Sequence, residues 1–311
     1  PEQAVRLLSS ARTSTGRVRR NNEDRIHLST AGDALLAIIA DGMGGAAAGE
    51  EASRIAIEAI ERGMANALEA DARAADFDND HFANTMTRIV HSANTQIIQC
   101  AESQPGFKGM GTTLTLALVR SNELMLAHIG DSRAYLIDGH DGHIQQITSD
   151  HSFVQALLDA GHITADEAEN HPMRNVLYRA LGQADDVKVD LIQNLFLNTQ
   201  DRIILCSDGL TAHVRPQEIA TAAMGHKDPE IISRQLVDLA NERGGQDNIS
   251  VIVIVVDGPT NEQAAEYPRF EDDDDDATLP MGDMMIINPQ DEPPISFSDS
   301  GRFSLSGGTP P

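Results

Sequence analysis

The chain has 311 residues, 41% of them apolar, and a formal charge of −25 at pH 7. That is enough apolar material for one large core or two small ones. The charge excludes a general nucleic-acid surface and a binder of anionic membranes.

The charge is uneven, since residues 257–311 hold 13 acidic and 2 basic side chains. Cys100 and Cys206 are the only cysteines, too few for a disulfide framework, which points to a reducing compartment. Cys206 closes the apolar stretch Ile203–Cys206 and reads as a buried, packing thiol. No apolar run approaches the ~18 residues of a membrane span. No positively charged leader precedes an apolar region at the start, which is Pro1. A cytoplasmic location is therefore expected.

The first clear element is the continuous apolar run Ala34–Ala40, a buried strand. Glu50–Ala70 then places Ala52, Ile55, Ala56, Ala59, Ile60 and Met64 at helical spacing. Ala83–Cys100 predicts a second helix, with Asp71–Asp80 as an acidic loop between the two. From residue 110 the period becomes that of strands: Thr112–Arg120, Glu123–Ile129 and Arg133–Ile137. The gaps between them are so short that only antiparallel neighbours are possible. A turn at Asp138–Gly142 leads to His143–Ile147.

Residues 151–180, broken by Gly161 and Pro172, read as a small inserted helical subdomain. Val187–Leu197 and Asp201–Cys206 return to strand. Pro216–Met224 and Asp228–Arg243 are helices, and Ile249–Val256 is the last strand. The expected class is α+β, with two stacked antiparallel sheets covered by helices and no parallel doubly wound sheet. The domain spans 1–257. Beyond it, recurrent prolines, the run Glu271–Asp276 and a Gly/Ser-rich end predict a disordered tail at 258–311.

Four aspartates mark strand ends: Asp41, Asp131 and Asp208 each close an apolar run, and Asp247 precedes one. An ionised, unpaired carboxylate is costly to bury, so these residues do not serve the core. Brought together, they would hold hard divalent cations. The segment Gly16–Asp24 sets Arg17, Arg19 and Arg20 a few residues from Glu23 and Asp24. A guanidinium suits phosphate oxygens, and Glu23 and Asp24 are placed to order metal-bound waters; alone, the segment also fits a solvated loop. Asp41-Gly42-Met43-Gly44-Gly45 has a rival as a dinucleotide-binding turn. An aspartate there would repel a pyrophosphate, and the hairpins that follow lack strand–helix alternation.

Taken in order, Arg19-x-x-Asn22-Glu23-Asp24, Asp41-Gly42-x-Gly44-Gly45, Gly111-Thr112-Thr113, Gly130-Asp131-Ser132-Arg133, Ser207-Asp208-Gly209-Leu210 and Asp247-Asn248 resemble the bacterial metal-dependent serine/threonine phosphatases of the protein phosphatase 2C-like (PPM) family. The resemblance runs from about Ser10 to Val256. It implies a four-layer α-β-β-α sandwich of two antiparallel sheets flanked by helix pairs, with 151–180 as a flap subdomain. It also implies two Mn²⁺ or Mg²⁺ ions and a third site. Asp41 would bridge two metals, Asp208 and Asp247 would complete one site, and the Gly42 carbonyl would serve the other. Glu23 and Asp24 would act through water, Asp131 with Asp208 would form the third site, and Arg19 would grip the substrate phosphate.

The implied reaction is hydrolysis of phosphoserine and phosphothreonine in proteins, by hydroxide generated between two cations. The implied partners are bacterial Ser/Thr kinases or their targets. Met43 departs from the histidine of many eukaryotic members and leaves the leaving-group acid open. His151 is a candidate, with a satisfied histidine as the alternative. Thr278, just after the acidic run, is a candidate phosphosite for a forkhead-associated domain, against a solvated linker. The Asn248-Ile249-Ser250 triplet fits a glycosylation site but begins a core strand and is discounted. The rival functions are a PPM-like scaffold whose tail recruits partners, an acidic cation-binding module, and a phosphatase narrowed to one regulatory phosphoprotein.

Overall fold

Strands that are apolar at every position need cover on both faces, and the architecture supplies it. The computed structural model describes residues 6–71 and 79–258. The expected tail beyond Gly258 and most of the expected acidic loop lie outside those residues. In chain order the strands are β1 (Arg6–Ser14), β2 (Asp24–Ala31), β3 (Ala34–Met43), β4 (Gly111–Thr112), β5 (Leu114–Arg120), β6 (Glu123–Ile129), β7 (Arg133–Ile137), β8 (Ile144–Gln146), β9 (Asp190–Phe196), β10 (Arg202–Cys206) and β11 (Ile249–Asp257). One sheet runs β1-β11-β10-β7-β8. The other runs β2-β3-β5-β6-β9, with β4 beside the end of β3. The strand pairs are antiparallel.

Side chains alternate across each strand, and the alternation sorts the core into layers. Along β3, Ala34, Leu36, Ile38 and Ala40 pack on helices, whereas Leu35, Ala37 and Ile39 face the other sheet. Along β11, Val251, Val253 and Val255 face helices, and Ile252, Ile254 and Val256 face inward. The helices α1 (Ala46–Asp71) and α2 (Asn79–Ser103) cover the β2–β9 sheet. Two short helices, α3 (Phe153–Asp159) and α4 (Ala165–Glu169), lie within residues 151–180, and α5 (Asp208–Thr211) follows β10. The β1–β8 sheet is covered by α6 (Pro216–Gly225) and α7 (Pro229–Glu242). This is the expected α-β-β-α order.

The sequence reading assigned no range to β1 or β2, began α1 and α2 four residues late and β9 three residues early, and missed α5. The pairing puts the ends of three strands at one edge. Cys206, the last residue of β10, pairs with Arg133 at the start of β7 and with Val251 near the start of β11. Asp131, Asp208 and Asp247 therefore flank the same edge. In the second sheet Asp24 lies opposite Asp41.

Candidate metal centre

Asp41 sits near the end of β3, its backbone fixed before its side chain is used. Its N–H donates to Thr113 Oγ1 at 3.0 Å, and its carbonyl accepts from Thr113 N–H at 2.9 Å and Thr112 Oγ1 at 2.8 Å. Thr113 Oγ1 in turn meets Ser132 Oγ at 2.8 Å, tying the Asp41 strand to the Asp131 corner. Gly42 is required by close approach: a Cβ there would overlap the Gly49 carbonyl in the first turn of α1. Glu23 reaches the same place, because a Cβ on Gly49 would overlap Glu23 Oε2. The three backbone segments that would present Glu23, Asp41 and the Gly42 carbonyl are thus packed against one another.

Asp24 is 1% exposed. Its Oδ2 accepts from Ser207 Oγ at 2.8 Å and Ser250 Oγ at 2.7 Å, while Oδ1 has no partner among the described residues. Because Ser250 lies in β11 of the other sheet and Ser207 directly follows β10, Asp24 joins the two sheets just beneath the cluster. Asn248 is a second latch: its Oδ1 accepts from Glu23 N–H at 2.8 Å, and its Nδ2 donates to the carbonyls of Thr15 at 3.0 Å and Asn21 at 2.9 Å. At 4% exposure it offers no site for a glycan. Arg19 Nη2 meets Asp247 Oδ2 at 2.6 Å across a half-exposed surface.

The carboxylates feel one another. Burial, then repulsion from Asp24 and Asp208, holds Asp41 well above the ordinary carboxylate range. Burial and the charge of Asp208 do the same for Asp131. Burial followed by the Asp247 charge lifts Asp208 to about 6, and Asp41 lies within hydrogen-bonding reach of it. Asp24 is pushed up to about 7, first by burial, against the lowering effect of its two serine hydroxyls. Glu23 is raised by burial, with Arg19 opposing.

Among the described residues, no three His, Cys, Asp or Glu side chains stand as a finished metal shell. Asp24 is turned onto its serines, Asp247 onto Arg19, and Asp41 toward Asp208. The set nevertheless fits hard divalent cations: every donor is oxygen, the negative charge is only partly offset by Arg19 at the rim, and one buried oxygen lacks a partner among the described residues.

His151 was a candidate acid, and its surroundings give it another task. It is 2% exposed, and its Nδ1 accepts from Gly130 N–H at 2.9 Å. Nε2 therefore carries the proton and donates to Asp190 Oδ2 at 3.0 Å, while Arg179 Nη1 donates to Asp190 Oδ1 at 2.7 Å. The satisfied histidine is the reading the structure supports. His128, fully buried beside it with ring centroids 5.0 Å apart, accompanies it. Its Nε2 faces the carbonyls of Gly130 and Ser149, both at 3.1 Å. Burial, then the neighbouring His151, lowers its pKa to about 3 and keeps it neutral. Sequence reasoning did not single out His128, and placed Thr113, Ser207, Ser250 and Asn248 only within motifs, with no role given to their side chains. Their partners lie far along the chain, so no local pattern marks them.

With this geometry in hand, comparison with known proteins gives the class. The family model described as protein phosphatase 2C matches residues 13–241. The serine/threonine protein phosphatase PstP of Mycobacterium tuberculosis is 41% identical over 280 residues, which are 88% of this chain and 50% of that protein. The chain thus spans about half the length of this relative. The serine/threonine phosphatase stp of Listeria monocytogenes is 35% identical over 244 residues, 78% of this chain and 93% of that one. Among solved structures, the catalytic domain of PstP in complex with 2 manganese ions superposes with a TM-score of 0.69 at 38% identity, covering 82% of this chain and 100% of that one. The chain belongs to the protein phosphatase 2C family, and its two-sheet α+β architecture is that of its structural neighbours.

Proposed function

We propose that the chain is a metal-dependent protein serine/threonine phosphatase whose substrates are the products of Ser/Thr kinases. The observation that carries this reading is the convergence of Asp24, Asp41, Asp131, Asp208 and Asp247 at one edge of the sandwich, each repelling at least one of the others. Bound there, Mn²⁺ or Mg²⁺ would offset that repulsion, activate water and neutralise charge growing on a phosphoryl group. Oxygen donors suit both ions. Asp41, Asp208, Asp247 and the Gly42 carbonyl would hold two ions, with Glu23 in support. Asp131 with Asp208 would offer a third site.

The chain's own groups account for the rest. Arg19, half exposed on the rim and paired only weakly with Asp247, is free to take a phosphate oxygen as a forked donor. Asp24 holds the two sheets in register beneath the ions. The cysteines offer no covalent route: Cys206 is fully buried and its thiol is pushed up to about 12 by burial, and Cys100 is raised too, chiefly by burial. Direct attack by water on phosphorus requires neither.

The test is phosphate release from a phosphothreonine peptide with Mn²⁺, with Mg²⁺ and with excess chelator, beside Asp208→Asn. Metal-dependent release that drops by about 10²-fold or more in the variant is expected, the size of a lost electrostatic contact at a reacting centre. No release from folded, metal-supplied protein on several phosphopeptides would overturn the reading.

A further inference from the structure

We propose that the loop between β1 and β2 reads the substrate around its phosphorylated residue, selecting acidic neighbours through Arg17 and Arg20. This inference rests on the phosphatase reading above and names the class of phosphoprotein that the site takes.

The loop is built rather than loose. Asn248 Nδ2 donates to the carbonyl of Thr15 at 3.0 Å and to that of Asn21 at 2.9 Å, clamping both ends with one amide. In the middle, Arg17 N–H donates to the Gly245 carbonyl at 2.7 Å. Gly16 turns the chain with a φ of +80°, and a Cβ there would overlap the Asp247 carbonyl. All these anchors lie in Gly245–Asn248, the segment that carries Asp247. The loop is therefore fixed to the rim of the carboxylate cluster.

Its side chains are placed for contact. Arg17, Val18, Arg19 and Arg20 are exposed, Val18 at 65%. Arg19 turns onto Asp247. Arg17 and Arg20 have no ion pair among the described residues; Arg88 and Arg62 on the outer helices have none there as well, but Arg17 and Arg20 stand on the loop that is anchored to the Asp247 segment. In a chain of net charge −25, two unpaired guanidinium groups beside a carboxylate cluster offset the repulsion that an acidic peptide would otherwise meet.

Spacing supports the assignment. Arg17 and Arg20 lie within two residues of Arg19, so their Cα atoms are at most about 7 Å from it. In an extended peptide, the residues one and two places from the phosphorylated one lie about 3–7 Å away. With the phosphate on Arg19, neighbouring Asp or Glu side chains come within reach of Arg17 and Arg20, and Val18 offers an apolar contact between them. The chain carries a sequence of this class, Glu271–Asp276 ahead of Thr278, whose phosphothreonine peptide is a suitable first probe.

The experiment compares kcat/KM on phosphothreonine peptides identical except for Asp, Asn or Lys at the two positions on each side, together with the 271–281 peptide phosphorylated at Thr278. The proteins are the unaltered chain, Arg17→Ala/Arg20→Ala, and Arg88→Ala on the outer helix α2 as a charge control. Each exposed pair is worth up to about fivefold, so the Asp peptides should lead the Lys peptides by about tenfold or more. The lead should shrink at about 0.5 M salt and collapse toward unity in the double variant but not in Arg88→Ala. Equal rates on all flanks, or a preference that survives the double variant, would overturn the inference while leaving the phosphatase reading intact. Hydrolysis of none of the peptides would overturn both.

Discussion

Asn248 does with one side chain what several residues would otherwise share: its amide holds the backbone of Thr15, Asn21 and Glu23. Asn248→Ala leaves a backbone N–H and two carbonyls unpaired in a largely dry setting. We expect it to lower stability by about 2–4 kcal/mol, from roughly 1 kcal/mol or more for each orphaned group. Asn248→Asp keeps the acceptor for Glu23 N–H but turns a carboxylate oxygen onto two carbonyls beside an already acidic cluster, and should fall at least as far. Thermal unfolding of the three proteins checks this order; equal melting temperatures would deny the latch. The contrast with the aspartates explains what could be read in advance. Asp41, Asp131, Asp208 and Asp247 were visible because a charge at the end of an apolar run is anomalous on its own terms. Asn248, Ser207, Ser250 and Thr113 are ordinary residues locally and gain meaning only from partners brought near by folding. Asp24 was legible as a motif member, whereas its burial against Ser207 and Ser250 was not.

At the scale of elements, the strands legible from apolar content alone were those covered on both faces, since β3, β5, β6, β10 and β11 are nearly unbroken apolar runs; the half-buried edge strands β8 and β9 were legible as well, beside flanking turns. The strand β1 escaped because it is an edge strand, half-buried along most of its length and polar at several positions. Its pairing with β11 over nine residues is a tertiary fact. The short helical pieces α3 and α4 were legible from the breaks at Gly161 and Pro172, but the attachment of that segment was not. Phe153 N–H donates to the Val176 carbonyl at 2.8 Å and Tyr178 N–H to the His151 carbonyl at 3.1 Å, closing the base of the segment. His151 then connects that base to the Asp131 corner through Gly130, and to β9 through Asp190. His151→Ala removes an acceptor from the buried Gly130 N–H and a donor from the half-buried Asp190, which keeps Arg179, with an expected loss of about 1–3 kcal/mol. His151→Gln, which can restore one of the two bonds, should recover part of it. If His151 instead protonated the leaving group, the glutamine variant would keep its stability and lose nearly all activity, so measuring both quantities separates the two roles.

The whole molecule concentrates unlike demands at one edge, and pH exposes them. Asp24 and Asp208 have folded pKa values of about 7 and about 6, and Asp41 and Asp131 are also raised, burial leading in each case. In the unfolded chain carboxylates titrate near 4. Between those values the folded, metal-free protein binds protons that the unfolded chain has released. Stability from these groups is therefore complete below about pH 4 and is lost as pH rises through 6 and 7. His128 acts in the opposite sense. Kept neutral down to about 3, it binds a proton only in the unfolded chain, so its contribution falls as pH drops below about 6.5. With Glu23 also raised, one imidazole stands against five carboxylates, and the carboxylates should set the trend. Divalent ions that bind the folded state stabilise it by mass action and occupy the place of the lost protons. With chelator, the melting temperature should fall from about pH 5 to about pH 8, and the gap opened by Mn²⁺ should widen over the same range. A chelated protein that grows more stable toward pH 8, or a gap independent of pH, would show that the aspartates do not share one charge-loaded centre. Asp24→Asn, which removes a buried charge and keeps the side chain's shape, should flatten the metal-free curve at its alkaline end.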